Sequence, residues 1–117
     1  MDKVICMPIH ESSALKTLKT WDGRSTFSFR GTVKEGNRIF YGSSQATTVT
    51  SVDYANLLKH FSGRIVDCGT SRTNPQLGSL GEWLQENVTK TAIASYVGAI
   101  LVSEGYARKL KSKIEFL

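Results

Sequence analysis

The chain has 117 residues, of which 40% are hydrophobic and 21% charged, and its formal net charge is +5. This length predicts one domain over residues 1–117, and no apolar run approaches the roughly 20 residues that a membrane-spanning helix needs. The N-terminus lacks the long apolar region of a signal peptide, so we expect a cytoplasmic protein with no membrane association. The positive charge favours anionic partners without identifying one.

The first elements predicted in chain order are a strand and a short helix. Residues 4–7 form an apolar run that is typical of a buried strand. A short helix is expected over residues 12–20, because Leu15 and Leu18 are three positions apart and would share one helical face.

A β-hairpin follows. Phe27, Phe29 and Val33 fall on alternate positions, residues 35–37 supply a turn, and residues 39–41 form the return strand. Four aromatic residues of this hairpin, Phe27, Phe29, Phe40 and Tyr41, lie close to Arg30 and Arg38 in sequence, a mixture that can form a base-stacking platform. We expect burial instead, because aromatic rings are the largest apolar groups available to a small core.

The middle of the chain predicts a helix and another strand. Residues 42–48 read as a polar connection. Thr50 is a good N-cap for a helix whose first turn contains Asp53, and Gly63 is expected to end that helix. A strand is predicted over residues 64–68.

The last third predicts two helices and a basic strand. Residues 67–78 form a polar loop, after which Ser79 and Glu82 match a capping box. That helix is expected to break near residue 87, and a second helix is expected over residues 89–104. Extended segments are predicted over residues 106–110 and 113–117.

Residues 87–97 resemble the second half of a DNA-binding helix-turn-helix. The resemblance implies a turn at Asn87, a helix capped by Thr89, and an exposed face that would contact DNA. The first helix departs from that pattern, since Trp83 and Glu86 stand where a small and an apolar residue are expected. The exposed face would carry mostly small residues and is therefore poor at reading base edges, with five residues expected on it: Lys90, Thr91, Ala94, Ser95 and Gly98.

Residues 104–110 resemble the passage from the recognition helix into the wing of winged-helix proteins. That resemblance implies that the basic residues of the strand hold phosphates without reading sequence. Lysines on a strand edge also block unwanted strand pairing, which is the alternative explanation for them.

The predicted fold is therefore α+β: an antiparallel sheet that contains a hairpin and is packed by helices, followed by a C-terminal helical hairpin and a basic strand. The order of the first six elements also matches the split βαβ arrangement of ferredoxin-like folds, which stays open as an alternative.

The leading functional hypothesis is a small binding protein that contacts nucleic-acid phosphates through its basic C-terminal third. The candidate anion-binding residues are Arg72, Lys90, Arg108, Lys109 and Lys111. The alternative is a protein-interaction or homo-oligomeric module in which the small residues of the second predicted helix pack against a partner or a second copy. An enzyme that uses the loop of residues 68–72 has the least support, since no catalytic motif is present.

No cofactor or metal motif is evident. Cys6, His10, His60 and Cys68 have spacings that match no common zinc site. A nucleophilic pair of Cys68 and His60 would require the two residues to meet and Cys68 to be accessible. We therefore expect no cofactor, no metal and no catalytic residue.

Overall fold

The computed structural model describes residues 14–117, which form seven strands in two antiparallel sheets and three helices. The expected α+β class is confirmed, while the strand predicted at residues 4–7 lies outside the described residues. In chain order the elements are β1 (Lys16–Lys19), β2 (Thr26–Thr32), β3 (Gly36–Tyr41), β4 (Gln45–Thr50), α1 (Ser51–Phe61), β5 (Ile65–Asp67), α2 (Leu80–Asn87), α3 (Ala94–Ser103), β6 (Ala107–Leu110) and β7 (Lys113–Phe116).

Strands β1 to β4 form a meander in which each strand pairs with the next. The predicted hairpin is confirmed as β2 and β3, with Phe29 opposite Ile39. Alternation along the strands places Phe27 and Phe29 on the face that is buried in the core.

Two local predictions in this region were wrong. The segment expected to be helical up to residue 20 contains β1, which pairs with β2 from Lys16 to Lys19. The polar connection expected over residues 42–48 contains most of β4. In both segments β-branched threonines favour the extended backbone, and pairing with a neighbouring strand outweighs the weak local signals.

Helix α1 forms as predicted. The Thr50 hydroxyl accepts a hydrogen bond from the Asp53 N–H, and the Asp53 carboxylate accepts one from the Thr50 N–H, which completes a capping box. On the buried face of the helix, the Tyr54 hydroxyl donates to the side-chain oxygen of Asn37 over 2.7 Å. Because both residues are buried, this bond fixes α1 against the meander and satisfies two polar groups in the core.

The second sheet has the order β5-β7-β6, so the last strand lies between the other two. The ferredoxin-like order is therefore wrong: β1 replaces the first predicted helix, and the strands divide into two separate antiparallel sheets. Strands β6 and β7 form a hairpin around residues 111 and 112, which confirms both extended segments predicted for the C-terminus.

Helix α2 begins where the sequence predicts, but α3 does not. Ser79 caps α2 by accepting from the Glu82 N–H, and the Glu82 carboxylate accepts from the Gly78 N–H. Thr89 does not cap the second helix, which begins five residues later at Ala94 and has no side-chain cap. The reason is tertiary, because Ile93 and Ala94 are both buried and fix where the chain turns into the helix.

Within the described residues no helix is both long and apolar enough to cross a membrane.

Candidate functional site

Helix α3 lies between the two sheets, and the meander covers the face that a recognition helix would present. A Cβ on Gly98 would lie 2.9 Å from Cε3 of the buried Trp21 ring, so the indole packs directly on the helix. The backbone N–H of Trp21 donates to the Ser95 carbonyl over 3.0 Å. The rings of Phe27 and Tyr96 add a contact at 5.0 Å between centroids. This face of α3 is therefore part of the core.

The prediction of an exposed face on this helix was wrong for most of the residues assigned to it. Ala94 and Gly98 are buried, while Lys90 and Thr91 precede the helix. The stripe of small residues expected to meet a partner instead lets Trp21 of the same chain approach α3. An assembly surface built on Ala94 and Gly98 is thus already occupied.

Three adjoining grooves follow the boundary between the meander and the rest of the fold, and we call them together the seam. The wing groove has a volume of about 550 Å³ and lies between the β6–β7 hairpin and the loop of residues 67–76. The middle groove, about 530 Å³, shares Asp22 and Thr70 with the wing groove. The end groove, about 350 Å³, shares Tyr41, Arg72 and Tyr96 with the middle groove. The shared lining residues make the seam continuous.

Lys109 and Lys111 both line the wing groove, but their environments differ. The Lys109 ammonium donates to the Trp21 carbonyl and lies 4.9 Å from the centre of the Trp21 ring, which joins β6 to the segment that follows β1. Lys111 lies at the tip of the hairpin with φ 59° and has no hydrogen bond or ion pair to any described residue. Lys111 is thus the cation of this groove that is available to a ligand.

Arg72 and Lys90 lie at the other end of the seam, where both line the end groove. The rings of Tyr41 and Tyr96 stack beside Arg72 with centroids 4.8 Å apart and planes 21° apart. Burial raises the pKa of the Tyr96 phenol above its ordinary value, Tyr41 raises it further, and the positive charge of Arg72 opposes this rise. A guanidinium therefore lies beside two half-buried phenols.

Arg108 is separated from the other predicted residues. It lies opposite Glu115 in the register of β6 and β7, and its guanidinium forms an ion pair with that carboxylate at 3.0 Å. Strand alternation places Arg108 on the face of the second sheet opposite to Lys109. The fold therefore brings together Arg72, Lys90, Lys109 and Lys111 along one seam and leaves Arg108 outside it.

Two carboxylates also line the seam, and each has a basic neighbour. Asp67 forms an ion pair with Lys113 at 3.2 Å. Asp22 accepts hydrogen bonds from the Arg24 N–H and the Thr20 hydroxyl, which together lower the pKa of its carboxyl, and it lies 4.0 Å from the Arg24 side chain. These contacts reduce the repulsion that the two acids would exert on an anionic ligand.

Cys68 does not have the environment of a nucleophile. Its side chain is 1% exposed, and its thiol donates to the Ala94 carbonyl over 3.6 Å. Burial raises the pKa of the thiol to about 12, although the nearby charge of Lys109 acts in the opposite direction. The thiol is therefore neutral at ordinary pH, and the enzyme hypothesis loses the accessible cysteine that it requires.

Only two of the four residues considered for a zinc site, His60 and Cys68, lie within the described residues. Cys6 and His10 lie outside them, and residues 14–117 contain no cluster of three or more potential ligands that could hold a metal ion.

The aromatic residues of the hairpin separate into three environments. Phe27 and Phe29 are buried at 3% and 2% exposure, which confirms burial over base stacking for these two. Phe40 is half-buried on the opposite face of the meander, and Tyr41 lines the seam. The sequence offers Tyr41 as one of four candidate stacking residues but does not reveal its contact with Tyr96, which is distant along the chain.

No protein-family model, curated protein or solved structure matches this chain. From α1 onward the element order is helix, strand, helix, helix, strand, strand, and it ends in the β6–β7 hairpin. The four-stranded meander lies against α3, with Trp21 on Gly98 and Phe27 on Tyr96.

Proposed function

We propose that this protein binds nucleic-acid phosphates along the seam. The observation that carries the proposal is that four of the five predicted cations line one continuous set of grooves. Three of them, Arg72, Lys90 and Lys111, have side-chain charges without an ion-pair partner among residues 14–117. Because no carboxylate in that part of the chain neutralises these cations, the seam that they line attracts a polyanion.

The chemistry of the cations suits phosphates along a backbone. Arg72 offers a planar fork that can donate two hydrogen bonds to one phosphate. Lys90 and Lys111 are compact charges on flexible stems, which can follow a backbone without demanding one geometry. Phosphate contacts of this kind position a protein but do not read bases. The proposed binding is therefore independent of sequence.

Fluorescence anisotropy with a dye-labelled oligonucleotide of about 20 residues, at about 50 mM and about 200 mM salt, tests the proposal. The seam variant carries Arg72→Ala, Lys90→Ala and Lys111→Ala. The matched control carries Lys34→Ala, Lys59→Ala and Arg108→Ala, three exposed cations that do not line the seam. Both variants lose the same net charge.

We expect the wild type and the control to bind at low salt and the seam variant to lose most of its affinity. For a single strand, each lost phosphate contact lowers the slope of log affinity against log salt by about 0.7, so the seam variant should lose about 2. Absence of binding by the wild type at low salt would overturn the proposal. Equal losses in the two variants would show that net charge, rather than the seam, determines binding.

Self-association is a second candidate, favoured by one edge of the meander. Strand β4 is an edge strand that contains neither a charged residue nor proline, and no described strand pairs with its outer side. The opposite edge, β1, carries Lys16 and Lys19, residues that block edge pairing. A second copy could pair antiparallel with β4 about a two-fold axis.

Light scattering measures the mass of the wild type and of Ala46→Lys, which places a charge on the exposed edge. A dimer that the lysine converts into a monomer supports this candidate, while a monomeric wild type contradicts it.

A further inference from the structure

We infer that the ligand of the seam is a single strand of nucleic acid, with bases stacked on the ring pair of Tyr41 and Tyr96, rather than a duplex. This inference rests on the proposed function and specifies its substrate class.

The burial of α3 argues against recognition of a duplex. A duplex is usually read by a helix or a β-ribbon inserted into the major groove. Of the ten residues of α3, Ser103 alone is exposed, and the others are buried or half-buried. Trp21 covers the helix at Gly98, and Phe27 and Tyr41 cover it at Tyr96. The helix cannot enter a groove without displacement of the meander from the core.

The order of groups along the seam suits a single strand instead. Lys90 and Arg72 lie at one end, the two tyrosine rings lie beside Arg72, and Lys111 lies at the other end. Single-strand binding sites combine cations that follow the backbone with aromatic rings that accept the bases. A duplex keeps its bases inside the helix, so rings in a groove would gain nothing from it.

The rings are also held in place before a ligand arrives. The Tyr41 hydroxyl shares a hydrogen bond with the Thr47 hydroxyl at 2.8 Å, and the Tyr41 ring lies on that of Tyr96. Tyr96 in turn contacts Phe27 of the buried face. Little side-chain freedom is therefore lost when a base stacks, which favours binding.

The test compares labelled oligo-dT, oligo-U and a mixed-sequence DNA duplex, each of about 20 nucleotides or base pairs, at one low salt concentration. We expect both single strands to bind more tightly than the duplex by about ten-fold or more.

Tyr41→Leu removes the stacking surface, whereas Tyr41→Phe retains it. We expect Tyr41→Leu to weaken single-strand binding about five-fold or more and Tyr41→Phe to stay within about two-fold. Phe40→Leu is the matched control, since it removes a half-buried aromatic ring from the opposite face of the same strand. Circular dichroism establishes that each variant is folded.

The two proposals can fail separately. Duplex binding that equals or exceeds single-strand binding, or a Tyr41→Leu variant with unchanged affinity, would overturn the inference and leave phosphate binding intact. Absence of binding to all three probes would overturn both.

Discussion

Gly98→Ala tests whether Trp21 packs on α3 and so covers the helix face that would otherwise be available to DNA. The added Cβ would lie 2.9 Å from Cε3 of Trp21 and 3.1 Å from Sγ of Cys68. In an exposed helix, alanine in place of glycine gains about 1 kcal/mol of stability. Overpacking of a core typically costs about 1–3 kcal/mol. Because the ring is buried and has little room to move, we expect a net loss of about 1 kcal/mol.

Thermal and urea denaturation measure this loss, which corresponds to a decrease in Tm of about 4 °C for a domain of this size. The matched experiment repeats Gly98→Ala in a Trp21→Leu background, where the smaller side chain leaves space for the Cβ. There we expect the substitution to be neutral or stabilising. A gain of about 1 kcal/mol from Gly98→Ala in the wild type would refute the reasoning, since it would mean that Trp21 does not cover the helix.

Three further predictions concern Gly81 in α2, the Cys68 thiol and the β6–β7 hairpin. Gly81→Ala places a Cβ 1.8 Å from the Gly69 carbonyl oxygen, a backbone atom. Urea denaturation should therefore show that the free energy of unfolding falls by about 3 kcal/mol or more, and a fall below about 1 kcal/mol would contradict the close approach. The pKa of Cys68 is raised from 9.0 to about 12 on folding. The neutral thiol therefore contributes its full share to the free energy of unfolding below pH 9, and this share is lost as pH rises towards 12. In a Cys6→Ser background, where Cys68 is the only thiol, this loss amounts to about 1.4 kcal/mol by pH 10. The loss should vanish when Cys68→Ala is added, and an equal pH dependence of stability in the two variants would contradict the prediction. Lys111 has a left-handed backbone conformation with φ 59°, which glycine adopts more readily. Lys111→Gly should therefore retain or increase thermal stability while nucleic-acid affinity falls, and unchanged affinity would exclude Lys111 from the site.

Features that depend on neighbouring residues could be predicted from the sequence. The caps of α1 and α2 involve residues three apart, and the β2–β3 hairpin follows from alternation around a short turn. The C-terminal segments form the expected strands, and Lys109 and Lys111 line the groove beside the β6–β7 hairpin.

Features that depend on distant contacts could not be predicted. Leu15 and Leu18 matched a helical spacing, but pairing with β2 determines the structure there. The small residues of α3 were expected to pack against a partner, and nothing local identifies Trp21 of the same chain as the group that packs there. The seam also depends on contacts between distant segments, because the meander supplies Tyr41 and the second half of the chain supplies Arg72 and Tyr96.

The most direct test of the central claim is a map of backbone amide chemical shifts on titration with a single-stranded oligonucleotide. The account predicts that the largest changes cluster at Tyr41, Arg72, Lys90, Tyr96 and Lys111, while Arg108 and the outer face of its sheet change little. Changes centred on Arg108, or spread without relation to the seam, would contradict it.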